Sequence, residues 1–437
     1  MRHFFVFASL CLVCALGITS RSYAQSVDPS MANHGIATAS WGFQCMLDSN
    51  CGANGSWITT TSQPGMVRLW SSGTSWALLN TDRGTYDWKT LDTWLDLIVE
   101  HQPRKTIYTF GQVPCWIATG TCTHHGWGSG ESWSPTPPSD LTSNGSPSFT
   151  AFVRELVTHC SPAGHCVKNR IKYWEMWNEA SNIPQWTGTQ KQLYEMFKPV
   201  IPIIRSQVPG AIVSTPPISG GNTTWMASWL ALENNNGRLS DYYGFHVYLL
   251  DVPPETRIRM VERMVAAKNN AAGWTNTPWM NSETNFQNVG VYSCSILYSR
   301  ADCQGQIVRW HVLQYALQAG GGGGGGAFFI GWFDWDNSIS DGDYDTYYYT
   351  MMQWLTGGTF TAPCANKGTV YTCPLKEPSG TLALIVWNAA GDSDYKPATE
   401  YVDYKYFNDT YGGATKSISP GQATRIGVQP VMFESTK

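Results

Sequence analysis

Charge is scarce in this chain: Asp, Glu, Lys and Arg make up 14% of 437 residues, against about 25% in an average soluble domain. Basic residues are fewest of all, 28 Lys and Arg against 32 Asp and Glu for a net charge of −4. No basic stripe interleaves with aromatics, so a nucleic-acid partner is not expected. Beyond the leader, which holds Cys11 and Cys14, there is no CxxC pair, and a GxSxG elbow and a phosphate-cradling glycine loop followed by Lys-Ser/Thr are also missing, which argues against a thiol redox centre, a structural zinc, an α/β-hydrolase nucleophile and a nucleotide site. Apart from Phe4 to Ile18, no apolar run comes near the roughly 20 residues of a membrane span. No stable membrane insertion is expected.

What the chain has in quantity is aromatic surface, 13% of residues with 21 Trp, together with 42 Gly. Residues 1–24 read as an export signal, with a positive start, an apolar centre and small residues around Tyr23 at the end. A secreted protein, extracellular or periplasmic, is the expectation. The cysteines agree with an oxidising compartment. Ten of the twelve fall into close couples: Cys45 with Cys51, Cys115 with Cys122, Cys160 with Cys166, Cys294 with Cys303, and Cys364 with Cys373. Each couple would staple a short local loop.

Eight short β-type runs alternate with amphipathic helical stretches: Gly35–Ala39, Met66–Trp70, Thr106–Phe110, Ile171–Trp177, Ala211–Pro216, Tyr243–Tyr248, Trp279–Ser282 and Ala327–Trp332. Leu91, Trp94, Leu95 and Ile98 fall at helical spacing, as do Phe149, Phe152, Val153 and Leu156. Leu193, Met196, Phe197, Val200, Ile201 and Ile204 extend such a stripe over three turns. This rhythm predicts an α/β fold, a (β/α)8 TIM barrel over residues 30–357. Shorter alternating segments after it predict a small antiparallel β-sandwich over 358–437. The Gly-, Pro- and Trp-rich stretch 111–148 reads as an ordered loop at the functional end, walling a cleft.

In such a barrel, catalytic groups sit at strand C-terminal ends. The fourth candidate ends in Trp174-Glu175-Met176-Trp177-Asn178-Glu179 and the seventh in Asn281-Ser282-Glu283-Thr284. Two carboxylates on facing strands can approach to about 5 Å, the separation used in retaining hydrolysis of glycosides. The expectation is a protonated carboxyl among apolar walls at Glu179 and an ionised one among donors at Glu283. Glu175, inside its strand, reads as the partner of an interior cation.

These strings, with Phe245-His246-Val247-Tyr248 after the sixth strand and Trp332-Phe333-Asp334-Trp335 after the eighth, resemble the clan A glycoside hydrolases. They are most like family 39, the β-xylosidases and related glycosidases. The chain reads Ser282-Glu283-Thr284 where that family usually has Thr-Glu-Trp or Thr-Glu-Phe. The resemblance implies Glu179 as acid/base, Glu283 as nucleophile, and Asn178 as the residue holding the neighbouring sugar hydroxyl. His246 and Tyr248 would orient Glu283, and Arg68 would hold it ionised.

Sugars present flat C–H faces that stack on Trp. Trp116, Trp332 and Trp335 are therefore candidate substrate platforms, with Trp70 less so and Trp127 and Trp133 as distal subsites. No cofactor and no metal are expected: the adjacent His124 and His125 lack carboxylates at ligand spacing, and the Asp334–Asp345 acidic run lacks the EF-hand glycine and glutamate. The sequence thus reads as a secreted retaining hydrolase of plant or microbial polysaccharides or oligosaccharides, β-xylosidase-like, with an endo-acting clan A glycanase of cellulase or hemicellulase type as the alternative and a non-catalytic glycan-binding protein as the rival from another class.

Overall fold

The computed structural model describes residues 35–37, 66–70, 72–102, 105–124, 132–249, 252–284, 300–317, 327–333, 351, 354–406 and 415–435. All eight strand candidates form strands: β1 (Gly35–Ala37), β2 (Met66–Leu69), β3 (Lys105–Thr109), β4 (Tyr173–Glu175), β5 (Ile212–Ser214), β6 (Tyr243–His246), β7 (Trp279–Thr284) and β8 (Ala327–Phe333). They join one nine-stranded sheet in the order β5-β4-β3-β2-β1-β8-β7-β6, with the two-residue strand Ile218–Ser219 beyond β6. Every pairing in it is parallel. Ser214, at the end of β5, makes a further parallel bridge to Tyr242, just before β6. The Thr215 amide donates to the Tyr242 carbonyl at 2.9 Å and the Tyr242 amide to the Val213 carbonyl at 3.1 Å.

Helices cover this sheet because their apolar stripes need burial. The principal ones are α1 (Lys89–His101), α2 (Pro147–Thr158), α3 (Gln190–Phe197), α4 (Val200–Gln207), α5 (Thr223–Asn236), α6 (Pro254–Asn270) and α7 (Arg300–Ala316). Leu91, Trp94, Leu95 and Ile98 of α1 are all buried, as are Phe149, Phe152, Val153 and Leu156 of α2. Ser146 caps α2 through the Phe149 amide with Pro147 in the first turn, and Thr189 and Gln192 form a capping box on α3. The long stripe expected from Leu193 to Ile204 is two helices, not one. Pro199 stands between them and supplies no amide hydrogen to continue the ladder, although all six stripe residues stay buried.

The stretch 111–148 carries its own small sheet of Val113–Pro114, Ser132–Ser134 and Thr123–His124, tied by the Cys115–Cys122 disulfide. Cys160–Cys166 and Cys364–Cys373 are also joined. Cys303 is disulfide-bonded, while its expected partner Cys294 and the couple Cys45/Cys51 lie outside the described residues. So do residues 1–24, Trp127, His125 and the acidic run from Asp334.

From Thr359 onward the chain is antiparallel. A seven-stranded sheet contains Val370–Lys376, Leu382–Asn388, Tyr401–Tyr406 and Val431–Ser435 among its strands, and Ser393–Tyr395 pairs separately with Thr424–Ile426. Strand alternation gives this sheet two apolar faces. Leu375, Ile385, Trp387 and Met432 belong to the same continuous core as the helices and parallel strands. Val386, Ile426, Val431 and Phe433 form a second core on the far side. Glu255 of α6 ties the two regions together: its Oε1 accepts from Trp387 Nε1 at 2.7 Å and lies 3.1 Å from Arg309 of α7. Among the described residues, no helix is long and apolar enough to cross a membrane.

Candidate active site

Arg68 near the end of β2 organises the site. It is wholly buried, and its planar fork reaches three acceptors at the ends of two other strands: Nε donates to Glu175 Oε2 at 2.6 Å, Nη2 to Asn178 Oδ1 at 2.8 Å, and Nη1 to Glu283 Oε1. Burial opposes its charge, but Glu175 and Glu283 outweigh that and raise the guanidinium above its ordinary value. Glu175 takes a second bond from the Thr109 hydroxyl at 2.6 Å. Glu175, itself wholly buried, is thus the interior counter-charge of Arg68.

Beyond β4 the backbone turns sharply. Trp177 and Glu179 both adopt left-handed conformations, at φ 65° and 43°, a strained state for residues with side chains. The turn is held by the Trp177 amide on the Glu175 carbonyl and the Asn178 amide on the Phe110 carbonyl, at 3.0 and 2.9 Å. Trp177 is buried edge-on against Trp186 at 5.2 Å, which leaves Asn178 and Glu179 turned toward the site. The Glu179 side chain is 16% exposed, against 7% for Glu283.

A register irregularity between β6 and β7 completes the arrangement. Phe245 faces Asn281 and the next residue, His246, faces Glu283, so Ser282 is the extra residue on β7. Such a bulge re-aims side chains. His246 Nδ1 lies 2.9 Å from Glu179 Oε1 and 3.5 Å from Glu283 Oε2, and its Nε2 is 3.1 Å from Ser282 Oγ. The Tyr248 hydroxyl donates to Glu283 Oε2 at 2.5 Å. Oxygens of Glu179 and Glu283 and a ring nitrogen of His246 all lie within 4.8 Å of one another.

The electrostatics differ between the two carboxylates. Burial alone pushes Glu283 up, but the His246 ring, the Arg68 guanidinium and the Tyr248 hydroxyl together hold it below the ordinary carboxylate range. Tyr248 is pushed well above its ordinary range by burial and by Glu283 and Glu179, so it stays a donor. Glu179 keeps polar company: Asn182 Nδ2 donates to its Oε2 at 2.9 Å and His246 meets its Oε1. The apolar walls expected around Glu179 are therefore replaced, on two sides, by an amide and an imidazole. The cluster of Glu179, His246 and Glu283 has the donor types to share a divalent cation, yet Arg68 already places a fixed positive charge on Glu283.

Arg68, Asn178, Glu179, His246, Tyr248 and Glu283 thus come together from four strand ends. The aromatic candidates fare differently. Trp116 is half-buried, and its Nε1 donates to the Asn80 carbonyl at 2.9 Å with Arg83 above the ring at 6.0 Å. Trp70 is buried against Gly111, and Trp133, expected as a distal subsite, is also buried; large indoles fill interior space before they serve as platforms. Trp332 lies on β8 opposite Ile36 and Thr284, and Trp335 lies outside the described residues. Sequence reasoning passed over Thr109, Asn182 and Ser282. Of these, only Asn182 carried a local signal, as an amide three residues after an acid at a turn.

This is the fold of glycoside hydrolases of solved structure. A glucosidase from Croceicoccus marinus matches with a TM-score of 0.61 at 11% identity, covering 94% of this chain and 97% of its own. A family 30, subfamily 8 xylanase from Clostridium acetobutylicum matches at 0.56 and 13%, covering 93% and 97%. The catalytic domain of a family 30 xylanase from Talaromyces cellulolyticus matches at 0.54 and 11%, covering 94% and 98%. No protein-family model matches the chain, and no curated protein matches it by sequence. The finer likeness to family 39 is not shown by these structures, two of which name family 30.

Proposed function

We propose that the chain is a secreted retaining glycoside hydrolase, built on a closed (β/α)8 barrel with a C-terminal β-sandwich. The observation that carries this reading is the pair of carboxylates at the ends of β4 and β7, with oxygens within 4.8 Å and unequal surroundings. Separations of about 5 Å suit a covalent glycosyl-enzyme, because there is no room for water between nucleophile and sugar. Glu283, held ionised by Arg68, His246 and Tyr248, attacks the anomeric carbon. Glu179, the more exposed of the two, gives its proton to the leaving oxygen and then takes one from the water that releases the sugar. Asn178, fixed by Arg68, offers its amide NH2 to the hydroxyl beside the reacting carbon. The parallel bridge from Ser214 to Tyr242 supports closure of the barrel.

The similar structures include a glucosidase and two xylanases. A β-linked plant or microbial glycan is accordingly the first substrate class to try, with β-xylosidase-like exo action and endo action as the two forms. The test is sugar release by residues 25–437 from a panel of polysaccharides and aryl glycosides. Glu283→Gln should abolish turnover. Glu179→Ala should lose least on substrates whose leaving group needs no proton. Equal losses on those substrates would count against the assignment, and glycan retention without cleavage by the parent protein would favour the binding-protein rival.

A further inference from the structure

The proposed double displacement moves negative charge from one carboxylate to the other. In that mechanism Glu283 begins as the carboxylate and Glu179 as the carboxylic acid. When the anomeric carbon bonds to a Glu283 oxygen and the leaving oxygen takes the Glu179 proton, the charge resides on Glu179. It returns when water gives Glu179 a proton and the sugar–Glu283 bond breaks. The pair carries one negative charge throughout, and only its place changes. His246 Nδ1 stands between the two positions, 2.9 Å from Glu179 Oε1 and 3.5 Å from Glu283 Oε2.

A hydrogen on Nδ1 can bond to whichever carboxylate is charged; a bare lone pair there could accept from the protonated one but would repel the charged one. Which ring nitrogen carries the hydrogen depends on what the other one meets. His246 is wholly buried, and its Nε2 meets the Ser282 hydroxyl at 3.1 Å. Ser282 is itself wholly buried and reaches that position only as the extra residue of the bulge on β7. Among the described residues, the charged and titratable groups facing this ring are Glu179 beyond β4 and Glu283 on β7, and behind Glu283 stand Arg68 of β2 and Tyr248 beyond β6. All of them lie on the Nδ1 side or reach the ring through Glu283. Nε2 has the serine.

We infer that Ser282 is a positioning residue: its hydroxyl donates to His246 Nε2 and so keeps the ring hydrogen on Nδ1, between the two carboxylates. This rests on the glycosidase reading for its consequence, but not for its geometry, so two measurements are paired. Protein labelled with 15N-histidine, with the His246 signals assigned by their loss in His246→Asn, reports which nitrogen is protonated. The parent protein at neutral pH should show hydrogen on Nδ1 and none on Nε2. Ser282→Ala should show hydrogen on Nε2 in part of the population, and Ser282→Thr, which keeps a hydroxyl, should restore the parent pattern. In parallel, kcat/KM on an aryl glycoside should fall about tenfold in Ser282→Ala, the worth of one neutral hydrogen bond, and recover in Ser282→Thr. A residue that merely fills space would lower the melting temperature without moving the nitrogen pattern. Hydrogen on both nitrogens in the parent, or one pattern shared by parent and Ser282→Ala, would overturn the inference. Absence of any glycoside cleavage would instead sink the hydrolase reading and leave the nitrogen pattern to decide the role of Ser282.

Discussion

Replacing Arg68 by methionine keeps the length of the side chain and removes its charge and all its donors. Two buried carboxylates lose their counter-ion at once, Glu175 at 0% and Glu283 at 7% side-chain exposure. Removing one partner of a buried pair costs about 3–5 kcal/mol, because the survivor remains desolvated without compensation. Here two survivors share the loss, but each retains other donors: Thr109 on Glu175, Tyr248 and His246 on Glu283. The expected loss is therefore about 4 kcal/mol, a large part of the roughly 5–15 kcal/mol that holds a domain folded. Denaturant unfolding at neutral pH should show it as a lower midpoint at unchanged slope. The double variant Arg68→Met/Glu175→Gln should regain much of that stability by removing one stranded charge. It should not regain activity, since Glu283 still lacks its cation and Asn178 its anchor. The low-pH limb of kcat/KM should move to higher pH in both, because Glu283 is no longer held low. A loss under about 1 kcal/mol, typical of an exposed pair, would refute the claim that this network carries the site.

Other consequences can be checked separately. Glu283 has its native pKa lowered, so its ionisation contributes stability above the unfolded value of about 4.3, and this is lost as pH falls through the native value. Denaturant midpoints should fall less on acidification in Glu283→Gln than in the parent, and equal falls would contradict the shift. Trp387→Phe removes the indole donor to Glu255 and should cost about 1–3 kcal/mol in calorimetry. Because Trp387 and Met432 share one core with the helices, parent and variant should each unfold in one transition, and a separate melting of the C-terminal sheet would refute that coupling. Gly111→Ala would drive a Cβ into the Trp70 ring; with Trp70 buried the ring has little room to yield, and a loss of about 1–3 kcal/mol is expected, read by the same denaturant titration.

The order of elements was legible in the amino acids because the signals are local. Parallel strands bury both faces and read as short apolar runs, and helices announce themselves by spacing and caps, so all eight strand candidates recur with ends moved by one or two residues. The Cys115/Cys122, Cys160/Cys166 and Cys364/Cys373 couples were readable for the same reason, each closing a loop of 6 to 9 residues. A break in the long stripe was missed although Pro199 stood in plain view, since burial alone does not distinguish one helix from two. Burial of Trp70 and Trp133 could not be read either, because a tryptophan fits a core and a sugar face equally well. Nothing local ties Arg68 to Glu175, Asn178 and Glu283, which lie 107, 110 and 215 positions away. Nor does any spacing announce that β7 carries one extra residue and thereby sets Ser282 against His246. The residue types needed for the chemistry are a property of the sequence. Their distances, their partners and the ionisation of Glu283 arise only when strands far apart in the chain are laid side by side.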